Sequence, residues 1–179
     1  GHTGEGAELA LGLSVNGFAL EQTLARKGGA EPGDKIILTK PIGIGAILAA
    51  NMRGLAEAND FTEALVEMKT SNDEAASILT DCGAHALTDV TGFGLAGHLI
   101  EMADASELTA QIQGILIPML QGGVKAVENG IESTMAEANA VFSSHISGFI
   151  NSTAHRLLLD PQTSGGLLAA VPPEKAEDA

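Results

Sequence analysis

Three segments of this chain place glycines where a short apolar run ends: Lys40-Pro41-Ile42-Gly43-Ile44-Gly45, Asp89-Val90-Thr91-Gly92-Phe93-Gly94 and Asp160-Pro161-Gln162-Thr163-Ser164-Gly165-Gly166. Glycine accepts left-handed backbone angles and lets neighbouring groups approach the main chain, so each loop suits a sharp handover from a strand to the next element. The same geometry can aim free N–H groups at an anion. For any one loop the purely geometric role is the commoner reason, and a lone glycine motif is a weak signal.

The patterning between the loops sets the fold class. Leu9, Leu11, Leu13 and Val15 alternate with Ala10, Gly12, Ser14 and Asn16, which predicts a half-buried strand. Glu31-Pro32-Gly33-Asp34 reads as a turn, Lys35 to Thr39 as a strand, and Ala46 to Ala56 as a helix. Ser71 and Glu74 have capping-box spacing, and Ala75, Ile78, Leu79 and Cys82 form an inward helical stripe that puts Cys82 in the core. His85 to Val90 reads as a strand, and Leu95, Leu99, Met102 and Ala103 as the buried stripe of a helix. Leu108, Ala110 and Ile112 alternate as a further strand.

From Gly114 to Ile150 the helical patches are broken by Pro118, Gly122-Gly123, Gly130 and Gly148, and no element is assigned. Leu157 to Leu159 lead into the third loop, Leu167 to Val171 reads as a buried strand, and Glu174 to Ala179 as the start of a helix. Strands and helices alternate irregularly, and one connection is too short for a helical crossover. The expected class is therefore α+β, a mixed sheet flanked by helices in a single domain over residues 1–179.

A formal net charge of -14 repels phosphate backbones and anionic lipid headgroups, which argues against nucleic-acid and membrane partners. No apolar run approaches the roughly 18 to 20 residues of a spanning helix. The one cysteine, Cys82, forms no internal disulfide and fits a reducing compartment such as the cytoplasm. It has no activating neighbour in sequence. His85, His98, His145 and His155 lack ligand spacing, and His98 reads as a satisfied or exposed histidine.

Asp89 differs from its surroundings as a lone carboxylate in an apolar strand, directly before a glycine loop. Magnesium is commonly held by one or two carboxylates together with substrate phosphates, so Asp89 fits a partial metal site. It fits equally a carboxylate that accepts hydrogen bonds from its own turn.

Taken in order, Gly1-His2-Thr3, Gly12 to Gly17, Gly33-Asp34 with Thr39 to Gly45, Thr88 to Leu99, and Leu159 to Leu168 resemble the carboxy-terminal domain of selenophosphate synthetase (selenide, water dikinase). The resemblance implies a fold like the carboxy-terminal domain of aminoimidazole ribonucleotide synthetase. It implies the conversion of ATP, selenide and water to selenophosphate, AMP and phosphate, with ATP and Mg2+ as cofactors and a homodimer as the assembly. It also implies a magnesium ligand at Asp89 and nucleotide contacts from Gly1, His2 and Thr3.

The family's nucleophilic cysteine or selenocysteine, its nearby lysine and the other magnesium-binding aspartates belong to an amino-terminal ATP-binding domain. No catalytic residue is thus assigned here, and the isolated chain is expected to be inactive. The family pattern continues beyond Pro172-Pro173, so a truncated end is expected. Where many members carry Pro-Gly-Gly-Thr, this chain has Ile131-Glu132-Ser133-Thr134-Met135-Ala136. That departure leaves two alternatives: a non-catalytic interaction module of a multidomain redox fusion, or a related synthetase with another phosphate acceptor.

Overall fold

The structure, a computed structural model, describes residues 14, 16–18, 20–21, 24–148 and 152–179. Strands β1 (Lys35–Leu38), β2 (Ala86–Asp89) and β3 (Leu167–Val171) form a sheet in the order β1-β3-β2. Both pairings are antiparallel, with Lys35 opposite Val171 and Asp89 opposite Leu167. The parallel component among the described residues is one bridge, Ile42 to Met119.

β3 takes the middle because Leu167-Leu168-Ala169-Ala170-Val171 is apolar on both faces and must be covered on both. Its side chains alternate between two cores, as a period of two requires. Leu168 and Ala170 join a large cluster with α1 (Ile44–Met52), α4 (Gly94–Ala105), α5 (Gln121–Glu128) and α7 (Thr153–Leu158). Leu167, Ala169 and Val171 meet α3 (Asp73–Asp81) through Leu79, with Cys82 half-buried beside them. The remaining helices are α2 (Ala58–Lys69), whose Ala64 packs on Ile44 and Ile47, and α6 (Thr134–Asn139). A small sheet flanked by helices is the α+β class expected. No helix among the described residues is long and apolar enough to cross a membrane.

Several boundaries differ from the sequence reading. α1 begins at Ile44 and stops at Met52, because Gly54 turns left-handed (φ 70°) and the Leu55 N–H closes back on Ala50 O. The Ser71/Glu74 capping box does not form. Ser71 Oγ accepts from Asp73 N, and the Asp73 carboxylate accepts from Glu74 N and sits at the helix start. Hydrogen bonds to that carboxylate from the Ser71 hydroxyl and then the Glu74 N–H hold the Asp73 carboxyl below its usual range. Ile78 turns outward from the α3 stripe. Residues 108–112 make no strand pairing among the described residues, and the strand read over Leu9 to Val15 lies outside them apart from Ser14. After Pro172 and Pro173, which lack N–H donors, the tail makes only a 3-10 turn over Pro173–Lys175.

The unassigned stretch contains α5 and α6. Gly122 and Gly123, read as breakers, lie inside α5, where the helix touches the first glycine loop: a Cβ on Gly123 would sit 2.8 Å from Gly43 Cα.

Candidate functional site

The antiparallel order brings the three glycine loops together, because the ends of β1 and β2 both lie at the start of β3. Leu167 N donates to Thr39 Oγ1 (2.8 Å), Thr39 N to Leu167 O (3.1 Å), and Val90 N to Gly166 O (2.9 Å).

The first loop is closed by the third. Gly43 N and Ile44 N both donate to Gln162 Oε1, at 3.1 and 3.2 Å, and the amides of Gly45 and Ala46 donate to the Asp160 carboxylate. The free N–H groups at the start of α1 are thereby satisfied within the chain. Geometry, not anion binding, explains these glycines. Gln162 (1% exposed) completes the clamp by donating Nε2 to Asp160 O at 2.7 Å and Asp160 Oδ2 at 3.1 Å. Burial pushes the Asp160 carboxyl up to about 7, against the pull of the Ala46, Gln162 and Gly45 donors.

Lys40 is buried and donates Nζ to Thr70 O (2.6 Å) and Ser164 O (3.2 Å), and Asn72 Nδ2 donates to Gly165 O (2.9 Å). The third loop is therefore pinned by neutral carbonyl contacts from two sides.

The second loop leaves its carboxylate free. Asp89 is exposed at the end of β2, and among the described residues no hydrogen bond or ion pair holds its carboxylate. It does not accept from its own turn. The loop behind it is fixed: Thr91 N donates to His98 Nε2 (3.0 Å), Gln162 N to Thr91 O (3.0 Å), and Asn139 Nδ2 to Gly92 O (2.8 Å).

His98 is buried rather than exposed, and burial pushes its pKa below the usual value, with Lys27 adding to that and Glu101 and Asp89 opposing it. The neutral ring accepts at Nε2, so its hydrogen is on Nδ1, 3.5 Å from the Glu101 carboxylate. His85 pairs instead with Asp34 at 3.0 Å.

Among the described residues no group of three or more His, Cys, Asp and Glu side chains could hold a metal ion, so Asp89 offers one donor by itself. Gly1, His2 and Thr3 lie outside the described residues. The sequence reading missed the clamping residues. Gln162 and Asp160 carried a signal, being polar groups beside an apolar strand. Asn139 lay in the unassigned stretch and carried none.

Residues 31–179 match the family model described as AIR synthase related protein, C-terminal domain. The chain is 36% identical over 181 residues to the selenide, water dikinase of Clostridioides difficile (strain 630) and 40% identical over 181 residues to that of Pelobacter propionicus (strain DSM 2379 / NBRC 103807 / OttBd1). Each alignment covers 99% of this chain and 52% of the relative, so the chain spans about half the length of these curated relatives.

Among solved structures, thiamine-monophosphate kinase from Stenotrophomonas maltophilia K279a superposes with a TM-score of 0.59 at 16% identity, over 86% of this chain and 44% of that one. The hydrogenase maturation protein HypE in complex with ATP superposes with a TM-score of 0.60 at 23% identity, over 88% and 40%. At these identities the likeness is one of fold. With the family model spanning all seven α-helices and all three strands among the described residues, the chain belongs to the AIR synthase related protein, C-terminal domain family.

Proposed function

We propose that this chain is the carboxy-terminal half of a selenide, water dikinase, in which Asp89 is a magnesium ligand for an ATP site completed by an amino-terminal half. The observation that carries the reading is a carboxylate left free and exposed on a loop whose backbone is otherwise tied down. A free aspartate on a rigid support suits a hard divalent cation, which binds oxygen donors and keeps much of its coordination for phosphates and water. The residue present fits that ion as one donor of a shared set. Bound there, magnesium would supply charge neutralisation at nucleotide oxygens.

Curated relatives that align with nearly the whole chain and bear the name selenide, water dikinase support the reaction: ATP, selenide and water give selenophosphate, AMP and phosphate. Gly1, His2 and Thr3 are proposed to touch the nucleotide, and the full-length protein to be a cytoplasmic homodimer. The chain by itself, lacking a nucleophile, is proposed to be inactive.

The test is Asp89→Asn in the full-length protein, assayed for ATP-dependent selenophosphate formation across a magnesium titration. Loss of at least about 100-fold at limiting magnesium is expected, comparable to removing one preorganised electrostatic contact. Wild-type activity and magnesium dependence would remove Asp89 from the metal site. Because fold neighbours include a thiamine-monophosphate kinase, the same assay should include other phosphate acceptors. Turnover of one of them with none of selenide would favour a related synthetase.

A further inference from the structure

We propose that Asn139 is a positioning residue for Asp89, holding the loop that carries the carboxylate in the geometry a metal needs; this rests on the reading of Asp89 given above. Asn139 is 2% exposed and, with Ala136 three residues before it, forms the inward stripe of α6. Its Nδ2 donates to two main-chain carbonyls, Gly92 O at 2.8 Å and Leu159 O at 2.9 Å. Two carbonyls facing one amide can be met only by its NH2 end, which fixes the side chain's orientation. The two acceptors belong to different segments. Gly92 is in the Asp89 loop, and Leu159 directly precedes Asp160, whose carboxylate closes the start of α1. A single buried nitrogen thus ties the loop bearing the free carboxylate to the clamp that organises the other two.

The contact matters because it holds the Gly92 carbonyl directly. A Cβ at Gly92 would meet nothing within 4 Å, so the Asn139 bond reaches the peptide from its main-chain side. On the Asp89 side of it, Val90 and Thr91 are anchored by Gly166 O, His98 and the Gln162 amide. Beyond Gly92 the turn is closed by Gly94 N donating to Thr91 O and by the Phe93 ring against His98 and Phe142, and Asn139 adds the anchor at Gly92 itself.

It also gives a role to the segment where this chain departs from its family. Residues 131–136 lead into α6, and Glu132 is ion-paired to Arg156, which in turn donates to Val127 O at 2.7 Å. Although its sequence differs, the segment is braced against α5 and α7 and delivers Asn139 to the loop.

The experiment is a double-mutant cycle in the full-length protein, with Mg2+ affinity measured by calorimetry in the presence of a non-hydrolysable ATP analogue and loop order read from amide hydrogen exchange at residues 91–94. Asn139→Ala is expected to weaken Mg2+ binding by about 10- to 100-fold, the range for supporting groups around a metal, and to speed exchange in the loop. In the Asp89→Asn background it should add little, because a positioning residue acts through the group it positions. Unchanged Mg2+ affinity in Asn139→Ala, or an equal loss in both backgrounds, would overturn the proposal while leaving Asp89 as a ligand. If Asp89→Asn alone leaves Mg2+ affinity unchanged, the ligand reading and this proposal fall together. Should Asn139→Ala not fold, Asn139→Ser, which keeps a hydroxyl donor, carries the same comparison.

Discussion

Asp160 shows how one buried group can oppose the fold it helps to organise. Its carboxylate receives amides from Gly45, Ala46 and Gln162, yet burial dominates and its folded-state pKa rises from 3.8 to about 7. Because the folded value lies above the unfolded one, the folded protein binds this proton more tightly. The resulting stability is complete below about pH 4, is eroded as pH rises, and is gone above about pH 7. Asp160→Asn exchanges one hydrogen bond from Gln162 for the absence of a titrating charge. Denaturant unfolding between pH 4 and 7 should show the variant gaining on the wild type as pH rises, and a constant gap would mean that the carboxyl titrates normally. Asp89 could be picked out from sequence because an acid in an apolar strand is conspicuous. Whether its own turn would satisfy it could not be settled there, since that depends on His98, Asn139 and Gln162 occupying the turn's other groups. Those partners are 9, 50 and 73 positions away in the chain, too far for local spacing to reveal them.

Helices were legible where an apolar stripe met an ordinary surface and illegible where two backbones touch. α4 followed its stripe of Leu95, Leu99 and Met102, whereas α5 was hidden by its own glycines. In a helix interior, glycine is worse than alanine by roughly 0.5–1 kcal/mol. At Gly123 that gain would be offset by a methyl 2.8 Å from Gly43 Cα, a main-chain atom that cannot swing aside. Overpacking of this kind costs about 1–3 kcal/mol. Gly123→Ala is therefore expected to lower the melting temperature, and a rise would mean that the first loop yields easily. The failed capping box at α3 has a related cause: Asn72, at the N-cap, is drawn away to Gly165 O. The helix start answers to the third loop rather than to its own sequence signal.

For the whole molecule, irregular alternation of strands and helices was enough to give the α+β class, but the order of the sheet was not readable. Nothing local in Leu167 to Val171 says which strands it will join; only its apolar character on both sides says that it will be central. Both cores depend on this strand, so they should fail together. Leu168→Ala, at a site with 0% exposure, should cost about 2–5 kcal/mol, and probes on α3 and on α4 should report one shared transition. Separate transitions would show that the two faces are independently stable.

The strand that joins the sheet is also the last of the three to leave the ribosome. Until it emerges, Lys35–Leu38 and Ala86–Asp89 have no neighbour to pair with, and contacts spanning so much of a chain form slowly. A ribosome stalled before residue 167 would therefore hold a nascent chain in which the strand ending at Asp89 has no sheet to join.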